Sequence, residues 1–309
     1  MHGTIDGFSY GVITPVAAFV MACLGSALGL RCVTRSLRAE QSFRPGWLSL
    51  GAASIGCGIW TMHFIAMMGF QVREAPLRYD IPLTVASLVV AVLVVSVGVF
   101  VVGYLGVRPA VLITAGIITG LGVAAMHYLG MAGMSLAGSI QYDTTIVTVS
   151  VVIAVVAATA ALWAAVSVRG FFPSLLASVI MGVAVTGMHY TGMAAVSVHL
   201  AGNVTGPGGV GASLPSIMFP MLLGPLVFLL VAGVIVMFDP LLVLGDGEWN
   251  DTPARKRETP EPARMPGAGV VPGFAHTAPA PPVWRGAGTA TRDADAPVPG
   301  QEPPRPYGW

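Results

Sequence analysis

The sequence predicts an all-α integral membrane protein: seven transmembrane helices arranged as three parallel two-helix repeats plus one extra helix, followed by a disordered C-terminal tail. Three observations predict it. Of 309 residues, 55 % are hydrophobic and only 9 % charged, far from the roughly 25 % charge of a soluble domain, and the mean hydropathy is +0.78. Seven apolar stretches reach the length of about 20 residues that crosses a hydrocarbon core. Finally, one short phrase recurs near the ends of three of them: Met62-His63-Phe64, Met126-His127-Tyr128 and Met188-His189-Tyr190.

The first span, near residues 10–30, follows a segment that carries Asp6 and no basic stretch. No cleavable signal peptide is expected, and the helix is retained. The second, fourth and sixth spans, near 46–70, 110–134 and 172–197, each end on the recurring phrase, while the third and fifth occupy about 81–105 and 144–167. None of these windows contains Asp, Glu, Lys or Arg. The seventh, 214–238, has no counterpart in the repeats, and its Pro215, Pro220 and Pro225 imply kinks whose freed carbonyls neighbours must satisfy. It is expected to pack outside the bundle or to close it.

The phrases start at Met62, Met126 and Met188, a period of 64 and then 62 residues that contains two spans. An even number of crossings separates the copies, so all three lie at one side of the bilayer. The repeats are then parallel, with the second, fourth and sixth helices as neighbours around a pseudo-threefold axis. Arg31, Arg35, Arg38 and Arg44 crowd the first connection, and Arg108 and Arg169 sit in the third and fifth. The positive-inside rule puts the N-terminus outside, the C-terminus in the cytoplasm and the repeated phrase on the extracytoplasmic side.

Residues 8–240 thus form the membrane domain. The Gly-rich stretch from Asn203 to Ala212 reads as a flexible outer loop, and 241–309, punctuated by proline up to Pro303-Pro304-Arg305-Pro306, as a disordered cytoplasmic tail. Cys23, Cys32 and Cys57 lie in or beside predicted helices and read as buried apolar side chains, not as a disulfide framework. Cys57, five residues before Met62, is a reserve ligand.

Four residues on a helix return to nearly the same face, so His63 with Met67, His127 with Met131 and His189 with Met193 each present an imidazole and a thioether one turn apart. Met62, Met126 and Met188 point about 100° away and are expected to pack on a neighbouring helix or to cap the site from the side. Gly56, Gly120 and Gly182, seven before each histidine, and Ala66, Gly130 and Gly192, three after it, line the histidine stripe. Small residues there allow close helix approach, which turns the histidines into the bundle. Imidazole suits zinc, copper, iron or nickel, and added thioether favours Cu(I); with no carboxylate nearby, magnesium, calcium and manganese are disfavoured. Cu(I) could accept a diatomic gas such as O2, CO or NO. No Cys-x-x-Cys-His signature is present, although two of the histidines could serve as axial ligands to a non-covalent heme.

The phrases Met126-His127-Tyr128 and Met188-His189-Tyr190-Thr191, with Met62-His63-Phe64 as a variant copy, resemble the MHYT domain, a bacterial integral-membrane sensor module. The resemblance spans about residues 8–240. It implies a copper-binding sensor of diatomic gases or redox state in the bacterial plasma membrane, with the motif Met and His on the outer side. Cyclic di-guanylate or kinase domains often follow in that family; none is expected after residue 240, which implies signalling through a cytoplasmic partner. Phe64 departs from the family's tyrosine.

Two other classes compete with a sensor. A copper permease needs ligands strung across the membrane, and Met21 and Met237 make a poor ladder; the spans also hold no carboxylates for ion coupling. A membrane oxidoreductase lacks an intramembrane acid, a nucleophile with a base and a cofactor fingerprint. The expectation is a non-enzymatic sensor with the lipid bilayer, a gas ligand and a signalling protein as partners, and no nucleic acid.

Overall fold

A computed structural model describes residues 3–38, 42–200 and 212–239, which lie in one compact unit, Met1–Thr252. The Gly-rich stretch from Asn203 to Ala212, except Ala212 itself, which is in a strand, and the tail 241–309 fall outside the described residues. Among the described residues there are seven helices: α1 (Ile13–Ser36), α2 (Arg44–Met68), α3 (Ile81–Leu105), α4 (Pro109–Ala132), α5 (Thr144–Ser167), α6 (Phe171–Ala194) and α7 (Leu214–Phe238). All are long and apolar enough to cross a membrane, so the chain is a multi-pass membrane protein.

Helix starts follow local chemistry. The Asp80 carboxylate accepts from the Leu83 N–H at 2.8 Å, and Asp143, its counterpart one repeat on, accepts from Thr145 and Ile146. Proline occupies the first turn of α2, α3 and α4, where no intrahelical N–H bond is lost. α7 runs continuously through Pro220 and Pro225.

The first span is longer than the apolar count suggests. α1 continues past Leu30 to Ser36 and α2 begins at Arg44, so both carry arginines. Their guanidinium groups are accommodated by aromatic faces at that end of the bundle: Arg31 lies over Phe171, Arg35 over Trp47 and Arg44 over Tyr104, at 4.9, 5.3 and 4.9 Å from the ring centroids. Arg35 also pairs with Asp239 at 3.0 Å, and Arg44 donates to the Gly103 carbonyl.

α1 to α6 pack in sequence, and α1 against α6 closes the ring; α7 lies outside it, on α1 and α2. Glycines set the approach of each even helix to the next odd one. A Cβ at Gly56 would stand 2.9 Å from the Val92 Cα, one at Gly120 would meet the Val155 backbone, and one at Gly182 would meet the Cys23 Sγ. These three positions therefore serve the α2–α3, α4–α5 and α6–α1 contacts.

Short antiparallel strands, which hydropathy did not reveal, cover the end where α2, α4 and α6 finish. β1 (Ile5–Asp6) pairs with β2 (Gln71–Val72); β3 (Arg78–Tyr79) lies between β4 (Met134–Ser135) and β7 (Ala212–Ser213); β5 (Gly138–Tyr142) pairs with β6 (Val196–Leu200). Glu74 braces this layer by accepting from the Thr4 N–H, and hydrogen bonding with Thr4 holds its carboxyl below the usual range. Tyr79 is fully buried beneath it, and burial pushes its phenol up.

Candidate metal centre

His63, His127 and His189 stand near the C-terminal ends of α2, α4 and α6, each 1 % exposed. Their Nδ1 atoms form a triangle: 3.0 Å between His63 and His189, 3.1 Å between His127 and His63, and 3.3 Å between His189 and His127. The three rings meet edge to face, with interplanar angles of 81°, 78° and 87°. Among the described residues this is the one cluster of three or more His, Cys, Asp or Glu side chains placed to hold an ion.

Hydrogen bonding alone cannot satisfy this triangle. An imidazole Nδ1 carries either one in-plane proton or one in-plane lone pair. Two kinds of atom distributed over three mutually touching corners always leave at least one contact between like atoms, proton facing proton or lone pair facing lone pair. A cation among three lone pairs removes that conflict. The spacing also suits one, because ligand nitrogens about 2.0–2.1 Å from a tetrahedral ion are about 3.3–3.4 Å apart. The triangle is thus close to a three-histidine face and needs to expand by only a few tenths of an ångström.

The rings are oriented by packing. Each lies edge-on to the aromatic that follows it, with centroids 4.7 Å apart for Phe64, 4.8 Å for Tyr128 and 5.1 Å for Tyr190. Its far edge reaches the next even helix: a Cβ at Gly130 would be 2.5 Å from the His63 Nε2, and one at Gly192 2.5 Å from the His127 Nε2. No hydrogen-bond partner among the described residues reaches either Nε2. Metal-bound histidines usually donate this N–H to a carboxylate or carbonyl; here steric fit does the orienting. Ala66 holds the corresponding place in the first repeat.

The aromatic position differs among the copies. Tyr128 shares a 2.6 Å hydrogen bond with Ser150 on α5. Phe64 has no hydroxyl, and the corresponding serine on α3, Ser87, instead accepts from the Trp60 Nε1 at 2.9 Å. The Tyr190 hydroxyl is buried with no hydrogen-bond partner among the described residues; Ala18 on α1 stands where α3 and α5 have serine. The absence of tyrosine at Phe64 is therefore balanced by Trp60, a link that motif spacing does not show.

The methionines divide unevenly. Met67 and Met131 are buried at 0 % and 1 % exposure, whereas Met193 is half-buried. Met62 packs with Ala18 and Ala22 of α1, as expected of the first methionine, and Met126 and Met188 belong to the main core. The reserve ligand Cys57 sits apart from the triad, clustered with Leu28, Cys32 and Leu229.

Comparison with known proteins matches residues 56–115 and 120–178 to the MHYT family model, described as a bacterial signalling protein N-terminal repeat. The chain is 36 % identical over 208 residues to the bifunctional diguanylate cyclase/cyclic di-GMP phosphodiesterase MucR of Pseudomonas aeruginosa, covering 66 % of this chain and 30 % of that protein. It is 36 % identical over 205 residues to the cyclic di-GMP phosphodiesterase NbdA of the same organism, covering 62 % and 26 %. The signaling protein YkoW of Bacillus subtilis is 29 % identical over 199 residues, covering 62 % and 24 %. The chain thus matches less than a third of the length of each of these relatives. No solved structure matches it.

Proposed function

This chain belongs to the MHYT family through residues 56–115 and 120–178, and from that membership we propose that it is a membrane sensor whose His63, His127 and His189 hold one soft metal ion, copper(I). The observation that carries this reading is the Nδ1 triangle, whose 3.0–3.3 Å edges match a three-histidine ligand face and whose proton arrangement no set of tautomers satisfies. Imidazole with neighbouring thioether, and no carboxylate in the cluster, favours Cu(I) over hard cations. Bound Cu(I) supplies an open position for a neutral diatomic such as O2, CO or NO.

The chain's own part is to hold and to transmit. Phe64, Tyr128, Gly130 and Gly192 fix the rings, Met67 and Met131, one helical turn on from His63 and His127, are buried thioethers, and the strand layer covers that end. An ion held by the three imidazoles would widen their triangle slightly and tie the ends of α2, α4 and α6 to one centre, and any ligand that favours one packing over another would shift the balance between them. The arginine–aromatic end faces the cytoplasm by the positive-inside rule and presents the altered surface to a signalling partner. The role is non-catalytic; cyclase and phosphodiesterase activities belong to the relatives that carry those names.

Copper measured in purified full chain after Cu(I) loading and desalting tests the reading. Wild type is expected to retain about one copper per chain, and the triple variant His63→Ala, His127→Ala, His189→Ala none above background. Equal copper in both sinks the site.

A further inference from the structure

Beneath the triad, toward the arginine end, lies a buried but not fully closed apolar cavity of about 50 Å³. It is centred on the repeats: Ile55, Thr119 and Met181, each eight residues before a motif histidine, and Ile59, Val123 and Val185, each four before one, all line it. The upper set lies one helical turn from the histidines. Met188, beside His189, also lines the cavity.

The cavity has a cause in the sequence. Its α5 wall is alanine apart from Leu162: Ala154, Ala157, Ala158, Ala161 and Ala165. On α3, matched to α5 by the way Gly56 meets Val92 and Gly120 meets Val155, the counterparts of Ala157, Ala158 and Ala165 are Val94, Val95 and Val102. These three valine-to-alanine differences remove more side-chain volume than Ala161 in place of Gly98 and Leu162 in place of Val99 add back, which leaves one side of an otherwise repeated core short of atoms. The walls offer water little to bond: their two hydroxyl side chains are Ser26 and Thr119, and the Thr119 Oγ1 is buried and turned toward Gly98. A water needs roughly 10–15 Å³ measured in this way and several polar partners, and apolar cavities without them stay dry and take up xenon or small hydrocarbons.

We propose that this cavity is a binding site for small neutral apolar molecules of diatomic size. Its volume exceeds what one water requires, its surface is hydrocarbon, and lipid-facing helices surround it, so the bilayer, in which such molecules dissolve, is their source. Service as a store for a gas read at the triad rests on the metal reading above. Occupancy of the cavity does not.

Xenon is the probe, applied under pressure to metal-free full-length protein in nanodiscs and followed by the methyl resonances of Ile59, Val123 and Val185. Saturable shifts of these methyls are expected, while lipid-facing Val152 and Val156 show only the non-saturating, linear pressure dependence of xenon dissolved in the bilayer; a linear response at all five positions overturns the proposal. In the double variant Ala158→Val, Ala165→Val, which installs the residues α3 already uses, xenon affinity is expected to fall about tenfold, equivalent to about 1.4 kcal/mol. Unchanged affinity in a folded variant overturns the proposal, and if that variant does not fold the wild-type titration decides. Xenon binding in a chain that takes up no copper leaves the cavity standing and removes the metal reading.

Discussion

If the triad holds copper as proposed, Gly130→Ala is expected to lower copper affinity by about 10- to 100-fold, the range seen when the support of a metal ligand is removed. The new Cβ falls 2.5 Å from the His63 Nε2, inside any tolerable contact, and the ring has little room to yield. Phe64 holds its edge on one side, and the Nδ1 is already 3.0–3.1 Å from two other imidazoles. His63 must leave the triangle or α4 must draw back. Overpacking of this kind costs about 1–3 kcal/mol of stability. Gly192→Ala repeats the collision on His127 and is expected to act alike. The control is Ala66→Gly in the first repeat, which removes a Cβ from the corresponding place: copper is retained, at a helix-propensity cost of about 1 kcal/mol. Copper competition titrations with a chelator of known affinity measure all three, and equal affinity for Gly130→Ala and wild type contradicts the packing account.

Gly58→Ala destabilises the whole bundle by about 3 kcal/mol, the upper end of overpacking effects. α1 and α2 form the most extensive helix pair in the chain, and they cross where Gly25 meets Gly58. A Cβ on Gly58 would lie 2.7 Å from the Gly25 Cα, and one on Gly25 2.6 Å from the Gly58 Cα. The obstacle is backbone, so no rotamer change relieves it. Small residues at such crossings are how membrane helices gain contact when lipid is as apolar as their side chains. Gly187 on α6 has nothing within 4 Å of an added Cβ, so Gly187→Ala gains up to about 1 kcal/mol from helix propensity. Equilibrium unfolding of the three proteins in mixed micelles separates the outcomes. A Gly58→Ala protein as stable as Gly187→Ala would show that α1 and α2 are not in backbone contact.

Much of this architecture is legible from hydropathy and period, because the bilayer imposes one length and one composition on every span. The third, fifth and seventh spans agree with α3, α5 and α7 to the residue. The first does not, since an apolar count stops at Arg31 while the helix runs on to Ser36 with its arginines laid over Phe171 and Trp47. Same-end placement of the histidines follows from counting crossings. Their meeting through Nδ1 depends on helix tilt and side-chain torsions, which periodicity does not carry.

Two small-residue positions that look equivalent on a helical wheel have separate partners in space. The glycines seven before each histidine meet the next odd helix, and those three after it meet the imidazole of another repeat. The Trp60–Ser87 bond, which stands in for the one between Tyr128 and Ser150, joins residues 27 positions apart on different helices. The strands of the covering layer are mostly two residues long, too short for an alternating pattern to form.

X-ray absorption at the copper edge of the Cu(I)-loaded full chain tests the central claim, that the three motif histidines share one ion, most directly. The account predicts a first shell with three imidazole nitrogens at about 2.0 Å, the usual imidazole–metal distance, lost when His63, His127 and His189 are all replaced by alanine. A shell of sulfur alone, or a spectrum that survives the triple replacement, would contradict it.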